Sequence, residues 1–253
     1  MQTTYNESMP VGVAGQIGSS VNHTVKSYTN PDEEISHGRG IAKISGDDDG
    51  CELPDGSGAD VIGVSIFDSG NTEGYYEKES CVGVLKDGEV YVEVEEAVTP
   101  DDDVYVRHTG KTQVQTFVLD ADLITANVIT VDVNGETLST TFATDHLTTI
   151  SALATLIQAQ PDVATAVVGG SGNRTITITA ETDKEIELEN EEVTLGASQA
   201  GITITETTAM ILTTDRGKFR NDSDSSTALQ LTNARFLSSA SAGEVALLSI
   251  KLP

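Results

Sequence analysis

The chain reads as mainly β: a small β-barrel-like or β-sandwich host domain interrupted by an inserted α+β module, an antiparallel sheet with one helix. Three observations predict this. Residues 1–113 and 212–253 share a Gly-punctuated, Val-rich texture of short strands, while 114–211 is Thr-rich and contains no Tyr or Cys. The middle stretch also holds the one helical pattern. Finally, an insertion that spares its host enters and leaves at neighbouring surface points, which fits a discontinuous domain over 1–113 plus 212–253 around a module over 114–211.

The chain opens on an arm, Pro10–Gly18, rich in glycine and low in charge. Expected strands follow at Gly40–Ser45, Val61–Phe67, Cys81–Lys86, Glu89–Glu95 and Val104–His108. Lys86-Asp87-Gly88-Glu89 predicts a hairpin, because Asp-Gly supplies the positive φ angles of a tight turn. Val90, Val92 and Val94 alternate with Tyr91, Glu93 and Glu95, a period of two that sets an apolar face on a core and a charged face in water. Pro100 to Asp103 is a polar turn.

In the module, Asn127–Asn134, Gly135 and Leu138–Ala143 predict an Asn-Gly hairpin. Leu147, Ile150, Leu153, Ala154 and Ile157 mark the apolar face of a helix closed by Pro161. Val163–Val168 runs through a glycine-rich turn into Thr175–Ala180. Stretches near Glu185–Leu188 and Gly201–Thr207 complete what reads as one sheet with the helix on one face. The host then resumes with short strands at Arg216–Arg220, Ala228–Leu231 and Ala234–Leu237, a small-residue connection over Ser238–Gly243, and a closing strand at Glu244–Leu252.

Composition bounds the function. With 253 residues, 38% hydrophobic, 4% aromatic and no Trp, the chain builds two thin cores of a kind that oligomerisation usually supports. A net charge of −26 disfavours duplex nucleic acid and anionic membranes, since both require a concentrated cationic face. The charge divides as −15 over 1–113, −12 over 114–211 and +1 over 212–253. The basic residues of the return, Arg216, Lys218, Arg220 and Arg235, either meet an acidic partner or neighbouring subunit or neutralise acids of their own domain. No stretch has the length and apolarity of a membrane helix, and Met1–Pro10 lacks the regions of a signal peptide. Cys51 and Cys81 either pair or stay free.

Catalytic constellations are missing. His23, His37, His108 and His146 are scattered without ligand spacing and read as surface or loop residues. Gly12, Gly15 and Gly18 recur every three residues but do not follow a strand and open a helix, as a dinucleotide-binding loop requires. The runs Asp47–Asp49 and Asp101–Asp103 lack the distal Glu of a calcium loop and read as solvated turns. The expectation is a non-enzyme with no cofactor and no metal. Scarce aromatics argue against a sugar-stacking module.

Pro10-Val11-Gly12-Val13-Ala14-Gly15-Gln16-Ile17, Gly88-Glu89-Val90-Tyr91-Val92-Glu93-Val94-Glu95 with Val104-Tyr105-Val106-Arg107, and Gly217-Lys218-Phe219-Arg220 with Ala234-Arg235-Phe236-Leu237 and Ser238–Gly243 resemble the structural cement (capsid decoration) proteins of tailed bacteriophages. The resemblance covers the host domain. It departs at 114–211, where simpler members pass almost directly from the Val-Tyr-Val-Arg strand to the Gly-Lys-Phe-Arg segment; the insert itself resembles small modules of phage tail and surface proteins. The resemblance implies a protein on the outer surface of the virion, made in the host bacterial cytoplasm, which binds the mature head between capsomers and stabilises it against internal DNA pressure. It implies as partners the major capsid protein and further copies of the chain, a trimer first and a dimer next, with no nucleic acid and no membrane. Contact candidates are then Pro10, Val11, Gly12, Val13, Gly15 and Gln16 of the arm, with Arg216, Lys218, Phe219, Arg220, Arg235 and Phe236 of the return. A phage tail or virion-surface adhesion component is the alternative.

Overall fold

The computed structural model describes residues 12–19, 22–70, 73–194 and 201–252. They fall into two compact units, one formed by Met1–Thr109 with Thr214–Pro253 and the other by Gly110–Thr213.

The first unit is built on one strand of 14 residues, Ser80–Glu93. Its first half lies between Thr24–Asn30 and Val61–Ser65, with Tyr28 opposite Val82 and Val64 opposite Leu85. Its second half pairs with Val245–Lys251 from the far end of the chain, Val245 opposite Glu93 and Lys251 opposite Asp87. Gly40–Lys43 and Cys51–Glu52 extend the sheet on one side and Ala234–Phe236 on the other, giving seven strands in an open path rather than a closed barrel. A second, three-stranded sheet sets Tyr105–Arg107 between Phe219–Arg220 and Ala228–Gln230. In both sheets the C-terminal return is hydrogen-bonded directly to strands of the first segment.

The hairpin expected at Lys86–Glu89 does not form. The backbone runs straight through it, and Gly88, at φ 137, marks where the strand exchanges one set of neighbours for another. The turn signal is local; pairing with Thr24–Asn30 along the first half and with Val245–Lys251 along the second is not, and these ladders keep the backbone extended through it. Thr24–Asn30 itself escaped the sequence reading because its first four residues, Thr24 to Ser27, are all exposed and show no alternation. The alternation of Val90, Val92 and Val94 holds. All three are fully buried with Val106, Phe219, Phe236 and Leu248 in one core, beside a second cluster that includes Tyr28, Ile41, Tyr76 and Val84.

Among its described residues the second unit contains two sheets, not the single one expected. Val128–Val133 pairs with Glu136–Thr141 and Leu188–Thr194, while Thr175–Ala180 and Val114–Leu119 are the inner strands of a four-stranded sheet edged by Val163–Gly169 and Ile202–Thr208. Val114–Leu119 was the strand not foreseen. Its buried face carries Gln115 beside Phe117 and Leu119, so a polar residue at an inward position hides the period of two. The Asn134-Gly135 turn has φ 52 and 79, as a two-residue hairpin of mirror-image type needs.

The helix, His146–Gln158, is capped by Asp145, whose side chain accepts from the Thr148 N–H at 2.8 Å. It buries Ile150, Leu153, Ala154 and Ile157 against Phe117, Ile129, Val131, Ile176 and Ile178. Leu147, assigned to this face, is instead 48% exposed. Thr149 is buried in the same turn, its hydroxyl donating to the Asp145 carbonyl and accepting from the Ala143 N–H. Among the described residues no helix is long and apolar enough to cross a membrane.

Candidate functional site

The arm adds a short segment to the free edge of the long strand. Gly15 N–H donates to the Tyr91 carbonyl at 2.7 Å, Tyr91 N–H to the Gln16 carbonyl at 2.9 Å and Gly18 N–H to the Glu89 carbonyl at 2.8 Å. The three-residue glycine spacing is explained by contact. A Cβ on Gly12 would stand 2.3 Å from the Tyr91 ring, one on Gly18 2.3 Å from Leu247 Cδ1, and Gly15 sits at φ 78 with Phe67 N–H donating to its carbonyl. Tyr91 and Leu247 are cross-strand neighbours on the face opposite the core.

Along that face the arm and the small-residue connection, more than two hundred positions apart in sequence, line one groove of about 650 Å3. Val13, Tyr91, Val245 and Leu247 give it an apolar floor, and Ser238, Ser239 and Gly243 a low wall. Val13 is 53% exposed. The connection is anchored by an antiparallel bridge from Ala240 to Val98 and by the Leu247 N–H donating to Ser238 Oγ at 2.9 Å.

The basic residues of the return divide sharply. Arg216 pairs with Glu33 at 2.5 Å, Lys218 with Glu93 and Asp215, and Arg220 with Glu95, Glu96, Asp222 and Asp224. These three neutralise acids of their own domain. Arg235 is exposed and forms no ion pair among the described residues. Phe219 and Phe236 are core residues, fully buried. Val13 and Gln16 are exposed and Gly12 half-buried, whereas Gly15 is buried against His37, Ile66 and Phe67. Pro10 and Val11 lie outside the described residues.

The densest polar cluster was not foreseen. Arg107 is fully buried; its Nε and Nη2 grip Glu95 at 2.5 and 2.7 Å, and Nη2 also donates to Asp224 at 2.6 Å. Arg220 bridges the same two carboxylates. These contacts hold the Arg107 guanidinium above its ordinary pKa despite burial that pushes the other way. An arginine ending the Val-Tyr-Val-Arg strand gives no local sign that its partner stands 117 residues later.

Two histidines read as surface residues are buried. His37 sits edge-on to Phe67 and Tyr76, with centroids 5.2 and 5.1 Å away, and burial lowers its pKa against the opposing pull of Asp68. His108 is lowered likewise by burial, its Nδ1 at 2.7 Å from Thr109 Oγ1. Cys51 is buried and Cys81 exposed, both as free thiols. Asp102 accepts from Thr99, and Asp48 binds Lys43 at the surface. No group of three His, Cys, Asp or Glu among the described residues is arranged to hold a metal ion.

The fold is similar to a chain titled "The capsid of Myoviridae Phage XM1", at 12% identity and TM-score 0.46 over 98% of this chain and 96% of that one. It is also similar to a chain from Mycobacterium phage Patience, at 16% identity and TM-score 0.43 over 95% and 96%. No curated protein matches it. Residues 1–156 match the family described as structural cement protein (E217 gp24/Pam3 gp6). The match runs beyond the host's first segment into the inserted module, further than the resemblance seen in the sequence. Spanning 156 of the 253 residues, it shows that the chain belongs to the phage structural cement protein family.

Proposed function

We propose that the chain binds the outer surface of the mature phage head between capsomers and stabilises it against the pressure of packaged DNA. Membership of the cement family carries a capsid-associated, structural role in the virion. The observation that supports the finer reading is the groove shared by the arm and the Ser238–Gly243 connection. It offers apolar surface, a half-covered sheet face and small residues that admit a second backbone closely, without a catalytic set. The major capsid protein is the proposed partner.

A protein that binds the mature shell but not its dissociated subunits stabilises the shell by mass action. Modest contacts repeated by symmetry become durable, and a homo-oligomer, a trimer first, brings several grooves to one junction. Synthesis in the host bacterial cytoplasm would precede this addition. The test is co-sedimentation with DNA-filled heads stripped of the protein, against immature shells, scoring bound copies and survival on heating. Saturation at a copy number set by capsid symmetry, with heads that survive longer, is expected; Val13→Glu should weaken it while leaving the fold intact. Absence of binding to both particles would overturn the reading in favour of a tail or adhesion component.

A further inference from the structure

The module's four-stranded sheet ends on one side in Val163–Gly169, whose ladder among the described residues runs to Thr175–Ala180 alone. Its second edge is open. Val163, Ala166 and Val168 pack into the core that the helix covers, while Thr165 and Val167 point away from it. At 59%, Val167 is the most exposed large hydrophobic side chain among the described residues.

An open edge is a template for another strand, and proteins ordinarily guard it with charge, proline or brevity. The module's other edge strands follow that rule. Glu136–Thr141 begins with a glutamate, Leu188–Thr194 carries Glu189, Glu191 and Glu192, and Ile202–Thr208 carries Glu206. Val163–Gly169 has neither charge nor proline over seven residues. Its bulge lies at its start, between Val163 and Thr165, and from Thr165 to Gly169 the register is regular.

The neutrality extends across the sheet. Val167, Thr177, Thr116 and Thr205 stand opposite one another on the outer face, and the rows on either side, from Thr165 to Thr208 and from Gly169 to Thr203, hold only Thr, Val and Gly. The charged residues nearest to the strand along the chain, Asp162 and Arg174, are paired with Lys184 and Asp122. On a module of net charge −12, this edge is a place where a like-charged copy can approach without strong repulsion.

We infer that two copies of the chain pair antiparallel through Val163–Gly169, joining their four-stranded sheets into one across a two-fold axis. A two-fold contact lets one sequence cover both edges at once, and Ala164, Thr165, Ala166 and Gly169 are small enough to face their equivalents. Keeping both outer faces outward pairs odd-numbered positions with odd, so Val167 meets Thr165, Val167 or Gly169 of the second copy. A contact confined to such strands is smaller than the roughly 1,200 Å2 of a stable interface, so it is weak between free chains and durable where copies are held side by side. Being two-fold, it cannot close a trimer and would instead join one oligomer to the next. That use on the head rests on the proposed function; the contact itself does not.

The test is sedimentation velocity on the full-length chain, without heads, at concentrations up to about 1 mM, the range in which tethered modules meet. Wild type should gain mass with concentration, and more so as salt rises, because screening removes the repulsion between acidic bodies and leaves a charge-free contact untouched. Thr165→Glu with Val167→Glu should abolish the gain, both side chains being exposed, with an unchanged urea midpoint. Thr203→Glu with Thr205→Glu, the same added charge on the opposite edge, should leave it in place. In the wild type, amide exchange within Val163–Gly169 should slow several-fold between dilute and concentrated samples, and that within Ile202–Thr208 should not. No gain in mass, equal loss with the Thr203/Thr205 pair, or protection absent from Val163–Gly169 would overturn the inference, whatever the result with phage heads.

Discussion

Arg107 is the residue whose loss should be felt most. Its removal strands Glu95 and Asp224 close together in a poorly hydrated site, with only Arg220 left between them. Breaking a buried pair from one side costs about 3–5 kcal/mol, so Arg107→Ala should show a clear fall in urea midpoint with an unchanged slope. The two histidines set a pH dependence. Burial lowers both below their ordinary 6.5, so the folded chain takes up protons less readily than the unfolded one. Their contribution is complete above that value and is lost as pH falls through it towards the folded pKa. Urea midpoints measured between about pH 7 and pH 5 should decline, and less steeply for His37→Gln. Cys51, buried and pushed up to about 12, stays a neutral thiol, so a thiol reagent should titrate Cys81 at once and Cys51 only after unfolding. Little of this was legible. A strand-end arginine and isolated histidines look solvent-facing until distant segments close over them.

Among the elements, those with internal periodicity were readable and those defined by their neighbours were not. The helix, the Asn134-Gly135 hairpin and the Val90–Val94 alternation each carry their signal within a dozen residues. The long strand and Val114–Leu119 do not: one contains an Asp-Gly pair that non-local pairing overrides, the other a buried glutamine. The arm shows the same division. Its glycines were visible in the sequence, but their purpose required Tyr91, Phe67 and Leu247 to be in place. Gly15→Ala, at φ 78 and with Phe67 N 2.6 Å from the new Cβ, should cost about 1 kcal/mol or more. Hydrogen exchange should then quicken at the Tyr91 and Phe67 amides, whose acceptors are the Gln16 and Gly15 carbonyls.

For the whole molecule, the two units have separate cores, and the host ladders pass from the first segment to the return without using a residue of the module. Replacing Gly110–Thr213 by a short Gly-Ser linker should therefore leave a folded host with a single cooperative transition, and, on the proposed function, one that still co-sediments with heads. A host that fails to fold would make the module part of its folding unit. The module is itself closed at its base: Lys111 and Ile211 form an antiparallel bridge with both N–H groups donating across, so the chain leaves and returns at Cα positions roughly 5.5 Å apart. Such a gate is indifferent to what hangs from it. A different compact domain with similarly close ends, grafted between residues 110 and 213, should therefore be carried without a fall in the host's own urea midpoint, making this position one where a passenger can be exchanged by an engineer.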